Sequence, residues 1–95
     1  MKTTESLRKD IAELVSEYAA LQYAEKPFEA GKTVVPSSGK VIGKTELQYM
    51  VEASLDGWLT TGRFNDQFEK KLAEFIGINH LITVNSGSSA NLVAF

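Results

Sequence analysis

The sequence contains no cysteine, and that absence excludes two classes of site at the outset. Without thiols, these 95 residues cannot form a disulfide framework, nor can they hold zinc or an iron–sulfur cluster through thiolates. His80 is the only histidine, and one histidine cannot build a metal site by itself. We therefore predict that this stretch of chain holds no metal ion.

An excess of charge of one sign and a long apolar run are also missing. Ten basic and twelve acidic side chains give a formal net charge of -2, so nothing favours nucleic acid or an anionic membrane surface as a partner. No stretch approaches the roughly 18 apolar residues of a membrane-spanning helix. Residues 1–10 are polar and do not resemble a signal peptide. We expect a cytoplasmic protein with neither nucleic acid nor membrane as a partner.

The apolar spacing near the start of the chain predicts an amphipathic helix over residues 5–23, capped by Thr4 or Ser6. Its apolar face serves either as a docking face for a partner or as a contact with the protein's own core. Residues 24–43 are punctuated by proline and glycine, and they predict an extended, loop-rich connection that is either functional or a flexible tether. The apolar positions of the helix are Leu7, Ile11, Leu14, Val15, Tyr18 and Leu21.

Two further helices are expected in the middle of the chain. The first begins at Thr45, with Thr45 and Gln48 forming a capping box, and it stops at Gly57 in a left-handed conformation. The second runs from about Asn65 to Gly77. We interpret Trp58 as a core residue. The residues of the second helix that should face inward are Phe68, Leu72, Phe75 and Ile76.

Residues 80–85 form a nearly continuous apolar run that predicts a strand covered on both faces in a parallel sheet. A further helix should begin at Ala90. A buried strand needs neighbours for its backbone groups, and no second convincing strand is present. A parallel neighbour would follow a crossover helix. The sequence is thus expected to be the opening of a larger α/β domain.

The loop Ser86-Gly87-Ser88-Ser89 lies between the predicted strand and this helix, where unpaired N–H groups and the helix dipole favour an anion such as phosphate. Gly87 allows close approach of the backbone, and the serines add hydroxyl donors. No lysine follows the loop, which excludes a Walker-type nucleotide site, and no GxGxxG fingerprint is present. The same residues also fit a purely structural helix cap.

The ordered combination of motifs resembles the N-terminal part of the sugar-nucleotide aminotransferase and dehydrase family, which are pyridoxal-phosphate proteins of fold type I. The motifs are Gly57-Trp58-Leu59-Thr60-Thr61-Gly62-Arg63, Phe68-Glu69 on a helix, Gly77, the strand, and Ser86-Gly87-Ser88-Ser89-Ala90. Residues 34–43 and 50–71 look closer still to one branch of that family. This branch comprises the CDP-4-keto-6-deoxyglucose-3-dehydrases of dideoxysugar, O-antigen and lipopolysaccharide biosynthesis.

The resemblance implies an α/β fold class. The chain would be the N-terminal part of an aspartate-aminotransferase-like large domain, mostly helical with one buried strand and incomplete as it stands. Residues 1–43 would form an N-terminal helix and extended arm. Residues 44–95 would form the truncated start of the domain that binds pyridoxal phosphate.

The resemblance also implies two binding segments. In the family, the loop that matches residues 86–89 grips the phosphate of pyridoxal or pyridoxamine phosphate. The turn that matches residues 58–63 approaches the nucleotide-sugar, here CDP-linked. The implied cofactor contacts are Gly87, Ser88 and Ser89, and the implied substrate contacts are Thr60, Thr61 and Gly62.

The dehydrase branch is implied to remove the sugar C3 hydroxyl with pyridoxamine phosphate and an iron–sulfur cluster, as a homodimer with a reductase partner. Its histidine, its cofactor-binding aspartate and its cluster cysteines match no residue here. No residue is assigned as catalytic, and we expect these 95 residues to be inactive alone although the whole protein is an enzyme. Two alternatives stay open: an aminotransferase of the same family, and a free-standing, non-enzymatic helical interaction module.

Overall fold

The computed structural model describes all 95 residues, and its regular structure consists of helices alone. The chain divides into two compact units, Met1–Gly57 and Trp58–Phe95. The helices are α1 (Thr4–Gln22), α2 (Lys44–Leu55), α3 (Arg63–Ile76) and α4 (Gly87–Ala94). None of them combines the length and the hydropathy needed to span a bilayer.

Helix α1 begins at two hydroxyl residues, three positions apart, and the side chain of each accepts a hydrogen bond from the backbone N–H of the other. The Thr3 hydroxyl accepts a hydrogen bond from the Ser6 N–H at 3.1 Å, and the Ser6 hydroxyl accepts one from the Thr3 N–H at 3.0 Å. This reciprocal pair is a capping box. The N-cap is therefore Thr3, so the predicted cap at Thr4 is one residue late and the alternative cap at Ser6 is three residues late, although Ser6 takes part in the box as its N3 residue.

Helix α2 is capped by a carboxylate rather than by the predicted pair. Glu46 accepts a hydrogen bond from the Gly43 N–H at 2.8 Å, and the helix begins at Lys44. The predicted capping box of Thr45 and Gln48 is wrong, because the Gln48 amide donates to the Ala12 carbonyl on α1 at 2.9 Å. A negative charge in the first turn also interacts favourably with the helix dipole, which a glutamine cannot do.

Charged side chains link α1 to the last turn of α2. The Arg8 guanidinium lies 2.8 Å from a carboxylate oxygen of Glu52 and 3.1 Å from one of Asp56. Hydrogen bonds to Glu52 and then to Asp56 hold the pKa of Arg8 above its ordinary value. Beside these ions, the two helices enclose an apolar groove of about 290 Å³ lined in part by Ile11, Val51 and Leu55.

Glycines end α2 and α3 as predicted. Gly57 follows α2 with a φ of 65°, and Gly77 follows α3 with a φ of 81°. Both lie in the left-handed region, where a Cβ would crowd the following carbonyl. The loop-rich connection over residues 24–43 is also confirmed, since no helix or strand interrupts it.

The inward-facing side chains predicted for α3 are not buried in this chain. Ala73 is the only buried residue of its unit, whereas Phe68 and Ile76 are exposed and Phe75 is 88% exposed. The 3.6-residue apolar period did predict a helix, but no element of the unit packs over that face. Periodicity identifies which face is apolar and does not supply the surface that covers it.

The predicted strand over residues 80–85 is not present. The segment has no strand partner, Ile82 is 65% exposed and Val84 is exposed as well. A strand requires inter-strand hydrogen bonds, and these residues have no neighbouring strand to make them with. The backbone N–H of Thr83 is instead held by the side chain of Glu69 on α3.

The chain exposes far more surface than a compact protein of its mass. Its accessible area is 8673 Å², against about 5,400 Å² expected for a folded monomer of 10.4 kDa. Two separate compact globules of the sizes of the units would still expose only roughly 6,500 Å². Large apolar side chains of both the helices and the connecting segments are exposed, so local hydrogen bonds at helix ends carry much of the order.

The Glu46 cap predicts a pH dependence at the start of α2. Hydrogen bonds from its own N–H and from the Gly43 N–H lower the pKa of Glu46 below its ordinary 4.5. A lowered folded-state pKa means that the cap is fully stabilising above pH 4.5 and is lost as the pH falls through the lowered pKa. The Gly43 amide resonance should therefore titrate with a midpoint below 4.5.

The hydroxyl cap of α1 provides the internal control, because neither Thr3 nor Ser6 titrates. The Ser6 amide should not follow the Gly43 transition, and Glu46→Gln should abolish that transition. A Gly43 amide that titrates at or above the ordinary carboxyl value would contradict the proposed cap.

Candidate functional site

The loop between residues 86 and 89 is shaped by two serine side chains and an asparagine. The Ser86 hydroxyl accepts a hydrogen bond from the Ser89 N–H at 3.1 Å and donates to the Ser89 hydroxyl at the same distance. The Ser89 hydroxyl donates in turn to the Asn85 side-chain oxygen at 2.6 Å. Ser86 is thus the N-cap of α4, which begins at Gly87, three residues before the predicted Ala90.

The first turn of α4 leaves backbone donors directed away from the helix. The Ala90 N–H bonds to the Ser86 carbonyl, and the Ser89 N–H is used by the cap. The N–H groups of Gly87 and Ser88 make no intramolecular hydrogen bond, and both residues are exposed. Two exposed N–H groups at the positive end of a helix dipole can bind an anion.

Of the three predicted cofactor contacts, Gly87 and Ser88 offer backbone N–H groups, while Ser89 does not. The hydroxyl of Ser89 already donates to Asn85. The Ser88 hydroxyl makes no hydrogen bond within the chain. The arrangement can therefore present two N–H donors and one hydroxyl donor to a ligand.

Gly87 is not required by the chain's own conformation. Its φ lies outside the left-handed region, and a Cβ added there would meet no atom within 4 Å. An alanine would therefore fit the protein. Any cost of that substitution should come from a ligand that approaches the backbone.

The turn with the three predicted substrate contacts is closed by Trp58. The indole Nε1–H donates to the Thr61 carbonyl at 2.9 Å. A Cβ on Gly62 would lie 3.2 Å from Cδ1 of the ring, so the glycine permits this close approach. Trp58 is 68% exposed, which shows that its interpretation as a core residue is wrong. Thr60 and Thr61 are exposed beside it.

A third polar group joins α3 to the segment before the loop. Glu69 accepts from the Asn65 side-chain amide at 2.6 Å and from the Thr83 N–H at 3.3 Å. The Thr83 hydroxyl donates to the Asn65 side-chain oxygen at 2.9 Å. One sign of this group is visible in the sequence, namely the spacing of four between Asn65 and Glu69, which places both on one side of a helix.

Metal binding has no support in the geometry. No group of three or more histidine, aspartate or glutamate side chains is placed to hold a metal ion. The polar groups of the site are hydroxyls, amides and one carboxylate that is already hydrogen-bonded twice.

A protein-family model covers the part of the chain that contains both segments. The model describes the DegT/DnrJ/EryC1/StrS aminotransferase family, and it matches residues 40–95. The chain belongs to this family. The DegT/DnrJ/EryC1/StrS family depends on pyridoxal phosphate, so a phosphate-bearing cofactor is part of the chemistry of the family.

Three proteins of known role are similar to this chain. The lipopolysaccharide biosynthesis protein RfbH of Salmonella typhimurium is 66% identical over 92 residues, or 97% of this chain and 21% of RfbH. A dTDP-4-dehydro-2,6-dideoxy-D-glucose 3-dehydratase of Saccharopolyspora spinosa is 40% identical over 70% of this chain and 14% of its own. A UDP-4-amino-4,6-dideoxy-N-acetyl-beta-L-altrosamine transaminase of Campylobacter jejuni is 32% identical over 65% of this chain and 16% of its own. The chain spans about a fifth or less of these relatives.

The contact between Gly62 and Trp58 predicts the effect of Gly62→Ala. The new Cβ displaces the exposed ring by a few tenths of an ångström, which lengthens the bond to the Thr61 carbonyl and weakens the turn by up to about 1 kcal/mol. Trp58 is the only tryptophan, so its fluorescence reports the change directly. We expect a red-shifted emission maximum in the variant. Gly39→Ala, whose Cβ meets no atom within 4 Å, should leave the emission unchanged. Equal spectra for both variants would contradict the closed turn.

Proposed function

We propose that this chain supplies the cofactor-phosphate cup of a nucleotide-sugar-modifying enzyme that depends on pyridoxal or pyridoxamine phosphate. The observation that carries the proposal is the pair of exposed, unused N–H groups of Gly87 and Ser88 at the start of α4. This pair lies within the residues that match a family dependent on pyridoxal phosphate. Two donors alone do not identify a ligand, but the family supplies one that carries a phosphate dianion.

The proposed binding mode uses the chain's own donors. The N–H groups of Gly87 and Ser88, with the Ser88 hydroxyl, donate to phosphate oxygens, and the dipole of α4 adds partial positive charge. Ser89 contributes indirectly, because its hydroxyl donates to the Asn85 side-chain oxygen and so fixes the loop. When bound, the cofactor supplies an electron-accepting ring for chemistry at the sugar. The residues described here bind and orient it.

The proposed substrate is a nucleotide-sugar that approaches the turn closed by Trp58. Thr60 and Thr61 present exposed hydroxyls, and Gly62 admits the Trp58 ring that closes the turn beside them. We assign CDP-4-keto-6-deoxyglucose as the substrate and loss of its C3 hydroxyl as the reaction. The similarity to RfbH, a lipopolysaccharide biosynthesis protein, and to a sugar 3-dehydratase supports this assignment.

A second candidate is amino-group transfer to a nucleotide-sugar. The aminotransferase name of the matching family and the similarity to a sugar transaminase favour it. Both reactions use the same cofactor phosphate, so the loop at residues 86–89 serves either. The groups that would separate the two reactions match no residue in this sequence.

Several properties of the whole protein belong to the same proposal. They are a cytoplasmic homodimer, a reductase partner and a large cofactor-binding domain that starts at residue 44 after an arm over residues 1–43. An iron–sulfur cluster does not fit these residues, because the sequence has no cysteine, and no step of the proposal passes through one.

The phosphate cup is tested by titrating the chain with pyridoxamine phosphate, which has no aldehyde to react with lysines. Amide shifts should be localised at Gly87 and Ser88. Gly87→Ala should weaken binding about tenfold or more. The added methyl group keeps the phosphate from approaching the backbone closely, and one charge-assisted hydrogen bond is lost. Gly39→Ala and pyridoxamine without phosphate are the controls. Shifts elsewhere, or equal affinity of the wild type and Gly87→Ala, would refute the cup.

The substrate contacts are tested in a chimera of RfbH whose matching 92 residues are replaced by this chain. Supplied with CDP-4-keto-6-deoxyglucose, reductant and an amino donor, the chimera should release a product that has lost the C3 hydroxyl. Thr61→Val should raise KM about three- to tenfold through one lost hydrogen bond, with kcat little changed. Because the groups that separate the two reactions come from RfbH in this chimera, loss of turnover would contradict a role of this chain in the active site, and an unchanged KM would remove Thr61 from the substrate contacts.

A further inference from the structure

Asn65, Glu69 and Thr83 form a closed ring of hydrogen bonds between α3 and the segment that leads into the loop. The Asn65 amide nitrogen donates to Glu69 at 2.6 Å, the Thr83 N–H donates to the other Glu69 oxygen at 3.3 Å, and the Thr83 hydroxyl donates to the Asn65 oxygen at 2.9 Å. We propose that Asn65 and Glu69 are positioning residues for the phosphate cup, an inference that rests on the proposed function.

The ring acts on a segment that lacks any other backbone partner. Residues 80–85 form no strand, and the Thr83 N–H is held by a carboxylate where a sheet would supply a neighbouring strand's carbonyl. Thr83 lies three residues before the N-cap Ser86. The ring holds both the backbone N–H and the hydroxyl of Thr83. These two bonds fix the position of the chain and its orientation about its own axis just before α4.

A second set of bonds carries the constraint from the segment to the cup. Asn85, two residues after Thr83, accepts from the Ser89 hydroxyl at 2.6 Å, and Ser89 is tied to Ser86 by two bonds. Gly87 and Ser88 lie in the sequence between Ser86 and Ser89, the two residues that these bonds join. Their direction therefore depends on where the segment before them is anchored, and the anchor is on α3.

The ring differs from an ordinary pair of surface side chains in two ways. Asn65 and Glu69 are half-buried, and every polar atom of the two side chains that faces the ring has a partner of the correct type. Glu74 lies on the same helix and is exposed, and its carboxylate accepts no hydrogen bond. It is the matched control for loss of a glutamate from α3.

The experiment exchanges the donors and acceptors of the ring. Asn65→Asp sets two carboxylates against each other and should disrupt the ring more than Glu69→Ala does. The double variant Asn65→Asp with Glu69→Gln restores all three bonds, because the introduced glutamine amide donates to the introduced aspartate while its oxygen accepts from the Thr83 N–H. Glu69→Gln alone should also hold, because the Asn65 amide can flip and the Thr83 hydroxyl can accept.

Two measurements are made on the full chain: the amide exchange rate of Thr83 without ligand, and the dissociation constant for pyridoxamine phosphate. Glu69→Ala should speed exchange at Thr83 about tenfold and weaken binding severalfold, and Asn65→Asp should do more of both. The double variant should return both values to the wild-type range. Glu74→Ala should change neither, and circular dichroism should show equal helix content throughout.

The outcomes separate this inference from the proposed function. Unchanged exchange at Thr83 in Glu69→Ala would overturn the ring itself. Faster exchange with unchanged binding would overturn the positioning role and leave the phosphate cup in place. Failure of the double variant to recover would also overturn the inference. Absence of binding to the wild type would overturn the proposed function, and with it the positioning role, while exchange at Thr83 would still report the ring.

Discussion

The hydrogen bond from the Ser89 N–H to the Ser86 hydroxyl determines where α4 begins and which of its donors remain available. It uses the third N–H of the helix and leaves those of Gly87 and Ser88 exposed. Had the helix begun at Ala90, as the sequence predicted, residues 87–89 would lie in a loop without a shared dipole. The cap thus leaves two backbone donors that point together along the axis of α4.

The two interpretations left open for the serine-rich loop are therefore compatible. A structural cap needs one hydroxyl and one N–H, and Ser86 and Ser89 provide them. The proposed phosphate cup needs the N–H groups that the cap does not use. An anion at Gly87 and Ser88 would add hydrogen bonds without breaking any that the chain already makes. The cap and the proposed cup can therefore form together.

Sequence rules succeeded where one residue determines the local geometry. Gly57 was predicted as a left-handed stop and Gly77 as the end of its helix, and each has a positive φ, because only the missing Cβ matters there. The rules failed where several side chains competed for one role. Gln48 matched a capping box, yet it bonds to Ala12 on another helix while Glu46 caps α2. Local patterns do not reveal a partner 36 residues away.

The strand and the core show a different limit of sequence-based prediction. An apolar run predicts that its residues are buried, but it does not identify the element that covers them. Residues 80–85 and the apolar face of α3 were predicted to be covered, and within these 95 residues they are exposed. The loop at residues 86–89 was predictable because its donors are local to one helix end. The ring of Asn65, Glu69 and Thr83 was not, because its members lie up to 18 residues apart.

The exposed segment and the ring together explain how a loop can be ordered without a sheet. Burial contributes little here, with only Ala19 and Ala73 buried in the whole chain. Polar side chains on α3 replace one edge of the missing strand pairing at Thr83, and Asn85 carries the constraint into the cap. Backbone N–H groups on one edge of an extended segment alternate with those on the other. The ring therefore uses the N–H group on the edge of the segment where Thr83 lies. The N–H groups of Ile82 and Val84 point to the opposite edge, where a neighbouring strand could pair with them.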